Sequence, residues 1–401
     1  MDKRRDKKGR VLLKGESQEK SGVYTYKYTD GNGKRVTVRS WRLTETDPLP
    51  RGKAKCDPLR EIEKKIQKEI DDGIVASDMT VIELVDTYLE MKTTIRRSTK
   101  HSYETMRKAI AEDQIASKRV KDVKIIDAKR FLLRVKDRRG YKSSTLEQVK
   151  TIIQPAFKMA IEDSIILRNP FDFPIRSICS NDSEKREALT EAQVKKLLDF
   201  IKGSGYYRRL YDPIYILFET GLRISELCGL TIRDVDLKNG EIHVTHQLKK
   251  DRGEIYIEKP KTAEGNRIIP IKKDVVEAFK RVIASRNAPD IEPIIDGLSG
   301  FIFLNGKGNP TVATEWSLYF KNICKAYNRT HVVQMPKVTP HICRHTYCTR
   351  LVASGVNVKV VQYLMGHTDI TMTLRVYAHT DIQAVRKELA TVDGTYNVRI
   401  V

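Results

Sequence analysis

The spacing of apolar residues changes along the chain, and each change marks a different kind of structure. Near the N-terminus, Val23 to Tyr28 alternates and runs into Asp30-Gly31-Asn32-Gly33, a hairpin signal, with Arg35 to Trp41 as the returning strand. Val11-Leu12-Leu13-Lys14 offers a third strand. From Pro58 to Ile70 the period lengthens, with Leu59, Ile62, Ile66 and Ile70 three or four apart, as on one face of a helix. A small sheet plus one helix is therefore predicted for residues 1–75.

Residues 79–173 keep the helical period. Thr80 is an N-cap signal before Val81 to Leu89. Further helices are predicted to start at Ser98, Asp127 and Ser144, with Tyr103 and Met106, then Phe131, Leu132 and Val135, then Val149, Ile152, Ile153 and Phe157 as their apolar stripes. Four or five short helices in about 100 residues make a compact bundle. Asn169-Pro170 closes it, and the polar stretch within 174–187 reads as a linker.

From residue 188 onward helices dominate again, beginning with Thr190 as a cap. A small sheet interrupts them at Glu241 to His246, Glu254 to Glu258 and Arg267 to Ile271, the last two flanking a hairpin tip at 260–266. The fold class predicted is multidomain and mainly α with small β-sheets. It comprises a sheet-plus-helix domain (1–75), a helical bundle (79–173), a linker (174–187) and a mixed α/β domain (188–401).

Charge narrows the partner. The chain of 401 residues carries a formal net charge of +22, which favours a polyanion. Residues 1–60 alone hold 17 Lys/Arg against 8 Asp/Glu. No stretch approaches the roughly 18 apolar residues of a spanning helix, and the charged N-terminus is not a secretory signal. Six scattered cysteines without a Cys-x-x-Cys pair point to reduced thiols in the cytoplasm and to no zinc site. Basic residues interleaved with aromatics make Tyr24, Tyr26, Lys27, Arg35 and Arg39 candidates for a DNA groove. Arg96, Arg97, Lys100, Lys142 and Lys150, at helix starts or on polar faces, fit a backbone-contacting surface.

The C-terminal half supplies chemistry. Thr220-Gly221-Leu222-Arg223-Ile224-Ser225-Glu226-Leu227 puts an arginine at a helix start. Thr339-Pro340-His341-Ile342-Cys343-Arg344 sets a histidine and an arginine on a first helical turn behind a good N-cap and a good first residue. Leu364-Met365-Gly366-His367 and Tyr377-Ala378-His379 follow. A guanidinium fork matches two phosphate oxygens and does not lose its proton. Two of these, two histidines and a tyrosine are the parts needed to attack a phosphodiester without metal.

These boxes, in this order over 220–379, resemble those of the tyrosine recombinase (phage integrase) family, in particular its three-domain integrases of phages and conjugative transposons. The resemblance implies catalytic arginines at Arg223 and Arg344, histidine positions at His341 and His367, the nucleophile at Tyr377, and a hairpin lysine at Lys261, with Lys259 its nearest rival. Glu226 matches a supporting acidic position. Tyr377 lies ten residues after His367, where many relatives have nine. The implied chemistry is attack by Tyr377 to form a 3′-phosphotyrosyl link, protonation of the 5′-oxygen by Lys261, and reversal by a 5′-hydroxyl from a partner strand. No ATP, metal or other cofactor is required. The implied partners are double-stranded DNA, further copies of the chain in a synaptic tetramer, an excisionase and host DNA-bending proteins, with no membrane. The first domain is expected to bind arm sites and the bundle to clamp the core site. A strand-like tail, Tyr396 to Val401, is expected to dock on its own chain or on a neighbouring copy, and the resemblance favours the neighbour. Competing readings are a type IB-like topoisomerase and a non-catalytic DNA-binding regulator.

Overall fold

Alternation in the N-terminal segment becomes a three-stranded antiparallel sheet. The computed structural model describes residues 4–29, 33–71, 78–182, 187–260 and 265–377, and it divides into two units, Met1–Glu184 and Lys185–Val401. Expectations for Lys261, His379 and the 396–401 strand fall outside the described residues.

In the first unit, β1 (Glu16–Gln18), β2 (Tyr24–Thr29) and β3 (Arg35–Ser40) pair in sequence order. The third strand forms at Glu16–Gln18 rather than at Val11–Lys14, where Val11 makes only an isolated bridge with Arg5. The Glu16 carboxylate explains the shift, since it accepts from the Leu13 amide and from Arg60 of α1 (Leu59–Asp71). Register pairs Tyr24 with Ser40, Tyr26 with Val38 and Tyr28 with Val36. Because strand side chains alternate, these residues share one face, and Lys27, Thr29, Arg35, Thr37 and Arg39 share the other. Tyr24 packs with Leu43 and Leu59 in a small core.

The bundle follows as α2 (Val81–Glu90), α3 (Arg97–Ala111), α4 (Ile125–Arg139) and α5 (Ser143–Glu162). Thr80 closes a capping box with Glu83, as its spacing predicts. The apolar stripes meet in a core that includes Phe131, Phe157 and Phe171. Buried Asp113 ties α4 to the loop after α3 by accepting from Arg134 and Arg138.

The second unit begins with α6 (Glu191–Gly203), capped by Thr190 and Gln193, then α7 (Tyr211–Thr220) and the short α8 (Ile224–Gly229). Strands β4 (Val235–Asp236), β5 (Glu241–Val244), β6 (Gln247–Asp251), β7 (Glu254–Glu258) and β8 (Arg267–Pro270) form two sheets, β4-β5-β8 and β6-β7. The expected pairing across 260–266 does not occur among the described residues. Strand β7 pairs instead with β6, through Arg252-Gly253, both at positive φ. That two-residue turn matches strand twist and costs little loop entropy, so the local hairpin wins. Helices α9 (Lys273–Ala284), α10 (Ala313–Thr330), α11 (Pro340–Ala353), α12 (Val358–Met365) and α13 (Ile370–Tyr377) complete the unit around a core containing Phe218, Phe279, Phe301 and Phe320.

Candidate active site

Two helix starts and two helix ends converge. Helix α7 stops at Gly221, which takes a left-handed φ of 63°. No side chain fits there, because a Cβ would lie 2.3 Å from the Tyr347 ring. The chain then turns so that Arg223 becomes the N-cap residue of α8. Thr339 caps α11 by accepting from the Ile342 amide, with Pro340 at the first position. One turn later Arg344 points inward and is 5% exposed, whereas His341 is exposed. Helix α12 ends at Gly366, also left-handed at φ 57°, and His367 follows it.

The end of α12 is where the arginines meet. The last carbonyls of a helix lack internal partners and carry its negative end. Three consecutive ones are each taken by a different arginine. Arg267 Nε donates to Leu364 O at 2.8 Å, Arg344 Nη2 donates to Met365 O, and Arg223 Nη2 donates to Gly366 O at 2.6 Å. Arg344 Nη1 also donates to Gly221 O at 2.7 Å, which joins the end of α7 to the end of α12.

Glu226 neutralises part of this charge. Its carboxylate accepts from Arg267 Nη1 and Nη2 at 3.0 and 2.8 Å, from Arg223 Nη1 at 2.7 Å and from the Arg223 amide at 2.8 Å. Burial pushes its pKa up, but the Arg267 hydrogen bonds and the charges of Arg267, Arg344 and Arg223 outweigh that and hold it at about 2. Burial, then the neighbouring Arg223, draws Arg344 down to about 9, still protonated at neutral pH. Burial and the cations Arg344, Arg223 and Arg267, with His341 nearby, lower His367 to about 4, so it is neutral. Its Nδ1 lies 2.9 Å from Thr373 Oγ1.

The structure thus brings together Arg223, Glu226, Arg344 and His367, with His341 close enough to influence His367. Tyr377 is the last residue of α13, which packs against α11 and α12. Arg267 was missed by sequence reasoning. Its signal was its place at the end of the Lys261-Thr-x-x-Gly-x-Arg stretch, at the start of a strand.

The nucleic-acid candidates divide. Lys27, Arg35 and Arg39 are exposed together on one face of the N-terminal sheet. Tyr24 and Tyr26 are on the other: Tyr24 is buried and donates to Asp6, and Tyr26 packs at the small core. Arg97, Lys100 and Lys142 are exposed at helix starts, with half-buried Arg96 as the residue before α3. Lys150 is not on the surface. It is 6% exposed, its ammonium donating to Phe173 O and lying over the Phe173 ring. Its position in α5 points to the core, and the aromatic face and carbonyl there take its charge.

A family model described as the phage integrase family matches residues 187–384, and one described as the DNA binding domain of tn916 integrase matches residues 1–70. The transposase from transposon Tn916 of Enterococcus faecalis is 40% identical over 393 residues, covering 97% of this chain and 96% of its own length. The transposase from transposon Tn1545 of Streptococcus pneumoniae is also 40% identical over 393 residues, with the same coverage. Among solved structures, the Tn1549 transposon integrase in complex with a circular intermediate DNA superposes with a TM-score of 0.74 at 40% identity, over 78% of this chain and 100% of that one. A lambda integrase dimer bound to a core site shares the fold, with a TM-score of 0.55 at 17% identity, over 98% of this chain and 99% of that one.

Proposed function

The chain belongs to the phage integrase family, the tyrosine recombinases, and on that premise we propose that it is a site-specific DNA recombinase that integrates and excises a conjugative transposon. The observation that carries this reading is the convergence of Arg223, Arg344 and His367 around Glu226, beside the helix that ends in Tyr377.

Three guanidiniums and one carboxylate leave a surplus of positive charge in a largely buried setting. Such a site favours the crowded oxygens of a five-coordinate phosphorus over the singly charged ground state. Arg223 and Arg344 bind the non-bridging oxygens. The Tyr377 hydroxyl attacks phosphorus, its proton passing to His341. A 3′-phosphotyrosyl bond forms as the bond to the 5′-oxygen breaks, and Lys261 protonates that oxygen. His367, neutral, donates a hydrogen bond to the phosphate. Glu226 holds Arg223 and Arg267 in place. A 5′-hydroxyl from a partner strand reverses the step, and since the link conserves the bond, neither ATP nor a cofactor is consumed.

The domains divide the DNA work. Residues 1–75 bind arm sites through the basic face of Lys27, Arg35 and Arg39. Residues 79–173 contact the core site through Arg96, Arg97, Lys100 and Lys142, joined by 174–187 to the catalytic residues from 188 onward. Strand exchange takes place in a synaptic tetramer, aided by an excisionase and host DNA-bending proteins, in the bacterial cytoplasm on nucleoid DNA. The tail at 396–401 docks on a neighbouring copy.

One gel tests the reading. Wild-type protein and Tyr377→Phe are incubated with a nicked suicide substrate carrying the element's end. A denaturant-stable protein–DNA adduct with wild type that disappears in the variant is expected. An adduct that survives the substitution, or none with wild type, overturns the reading.

A further inference from the structure

His367 is neutral and buried, so its ring carries one N–H, on Nδ1 or on Nε2, and the choice decides whether the ring can donate to an anion. The Nδ1 atom faces the hydroxyl of Thr373 at 2.9 Å. Thr373 is fully buried, and this is the one hydrogen bond its hydroxyl makes among the described residues. A buried hydroxyl proton without an acceptor is costly. Were Nδ1 protonated, it would donate to Thr373 Oγ1 and orphan the threonine proton. With Nδ1 unprotonated, the threonine donates and both groups are satisfied. The backbone of His367 is fixed as well, its amide donating to Gln362 O and its carbonyl accepting from Gln362 Nε2, each at 3.1 Å.

We propose that Thr373 is a positioning residue that holds His367 as the Nε2–H tautomer, and so as a hydrogen-bond donor to the scissile phosphate. This rests on the recombinase reading for the identity of the acceptor. Thr373 stands one helical turn before Tyr377 on α13. The donor state of His367 is therefore supplied by the same helix that carries the nucleophile. Phosphate activation and nucleophile delivery become one event: a withdrawn α13 removes the hydroxyl that orients the ring.

Two measurements test it. In full-length protein with nitrogen-15-labelled histidine, the His367 signals, assigned with His367→Gln, should show an unprotonated Nδ1 and a protonated Nε2. The opposite pattern overturns the proposal. In single-turnover cleavage of the suicide substrate, Thr373→Val should be slower by about tenfold or more, and Thr373→Ser should stay within about threefold of wild type, with DNA affinity unchanged in both. Wild-type rates for the valine variant, or a serine variant as slow as valine, also overturn it. Should wild-type protein form no adduct, the recombinase reading falls, while the tautomer measurement still decides the role of Thr373.

Discussion

Arg267 and Glu226 form a two-pronged buried ion pair, with the guanidinium nitrogens 3.0 and 2.8 Å from the two carboxylate oxygens. Breaking such a pair from one side leaves an uncompensated charge, at a cost of about 3–5 kcal/mol. Glu226→Gln should therefore lower stability by about that amount at neutral pH. The folded pKa of about 2 lies below the ordinary 4.5. The stabilisation is thus fully present above about pH 4.5 and is lost as pH falls toward 2, an effect of about 3 kcal/mol. Urea unfolding at pH 7 and pH 3 checks it: the gap between wild type and variant should narrow in acid.

Gly366→Ala should impair cleavage more than folding. Its left-handed φ of 57° costs a non-glycine residue about 1–2 kcal/mol. A Cβ would also sit 3.0 Å from Arg267 Nη1 and 3.3 Å from Arg223 Nη1, close enough that the guanidiniums must give by a few tenths of an ångström. On the proposed function, moving Arg223 misplaces a phosphate ligand. The expected outcome is single-turnover cleavage slowed by about a hundredfold, near the loss of one oxyanion donor, with DNA affinity retained.

The exposed basic residues should show themselves in salt dependence. Alanine at Lys27, Arg35 or Arg39, in arm-site binding, and at Arg97, Lys100 or Lys142, in core-site binding, should each reduce the slope of log affinity against log salt by about 1. Lys150→Met should leave that slope unchanged and lower the melting temperature of the protein instead, because its ammonium bonds a carbonyl inside the bundle.

His367 should titrate well below an ordinary histidine. Its folded pKa of about 4 lies under the usual 6.5. The unfolded chain therefore takes up the proton first, and this group's contribution to stability declines as pH falls from 6.5 toward 4, then levels off. An NMR titration showing its inflection near 6.5 contradicts the site electrostatics.

Local signals were the legible ones. Thr80, Thr190 and Thr339-Pro340 announce their helices because a cap depends on residues three apart. The order of the chemical boxes identified Arg223, Arg344 and His367 for the same reason, each tied to a turn or a helix end. What escaped was set by tertiary packing. Arg267 becomes part of the site only because β8 runs past the end of α12. Lys150 reads as surface charge until the Phe173 carbonyl is placed beside it. Tyr24 and Lys27 look like one interleaved ribbon, yet strand alternation sends them to opposite faces. The partner of β7 was decided by a nearer turn at Arg252-Gly253.

The three carbonyls at the end of α12 have one more consequence. Before any DNA arrives, Arg223, Arg267 and Arg344 are already coordinated by peptide oxygens from Leu364, Met365 and Gly366. Each guanidinium carries five N–H donors, and these bonds with those to Glu226 and Gly221 use only some of them, so they orient the forks without consuming them. On the proposed function, a phosphate therefore meets arginines that need little reorganisation at the moment of reaction. The resting pocket is in this sense preorganised, its geometry set by the protein's own backbone.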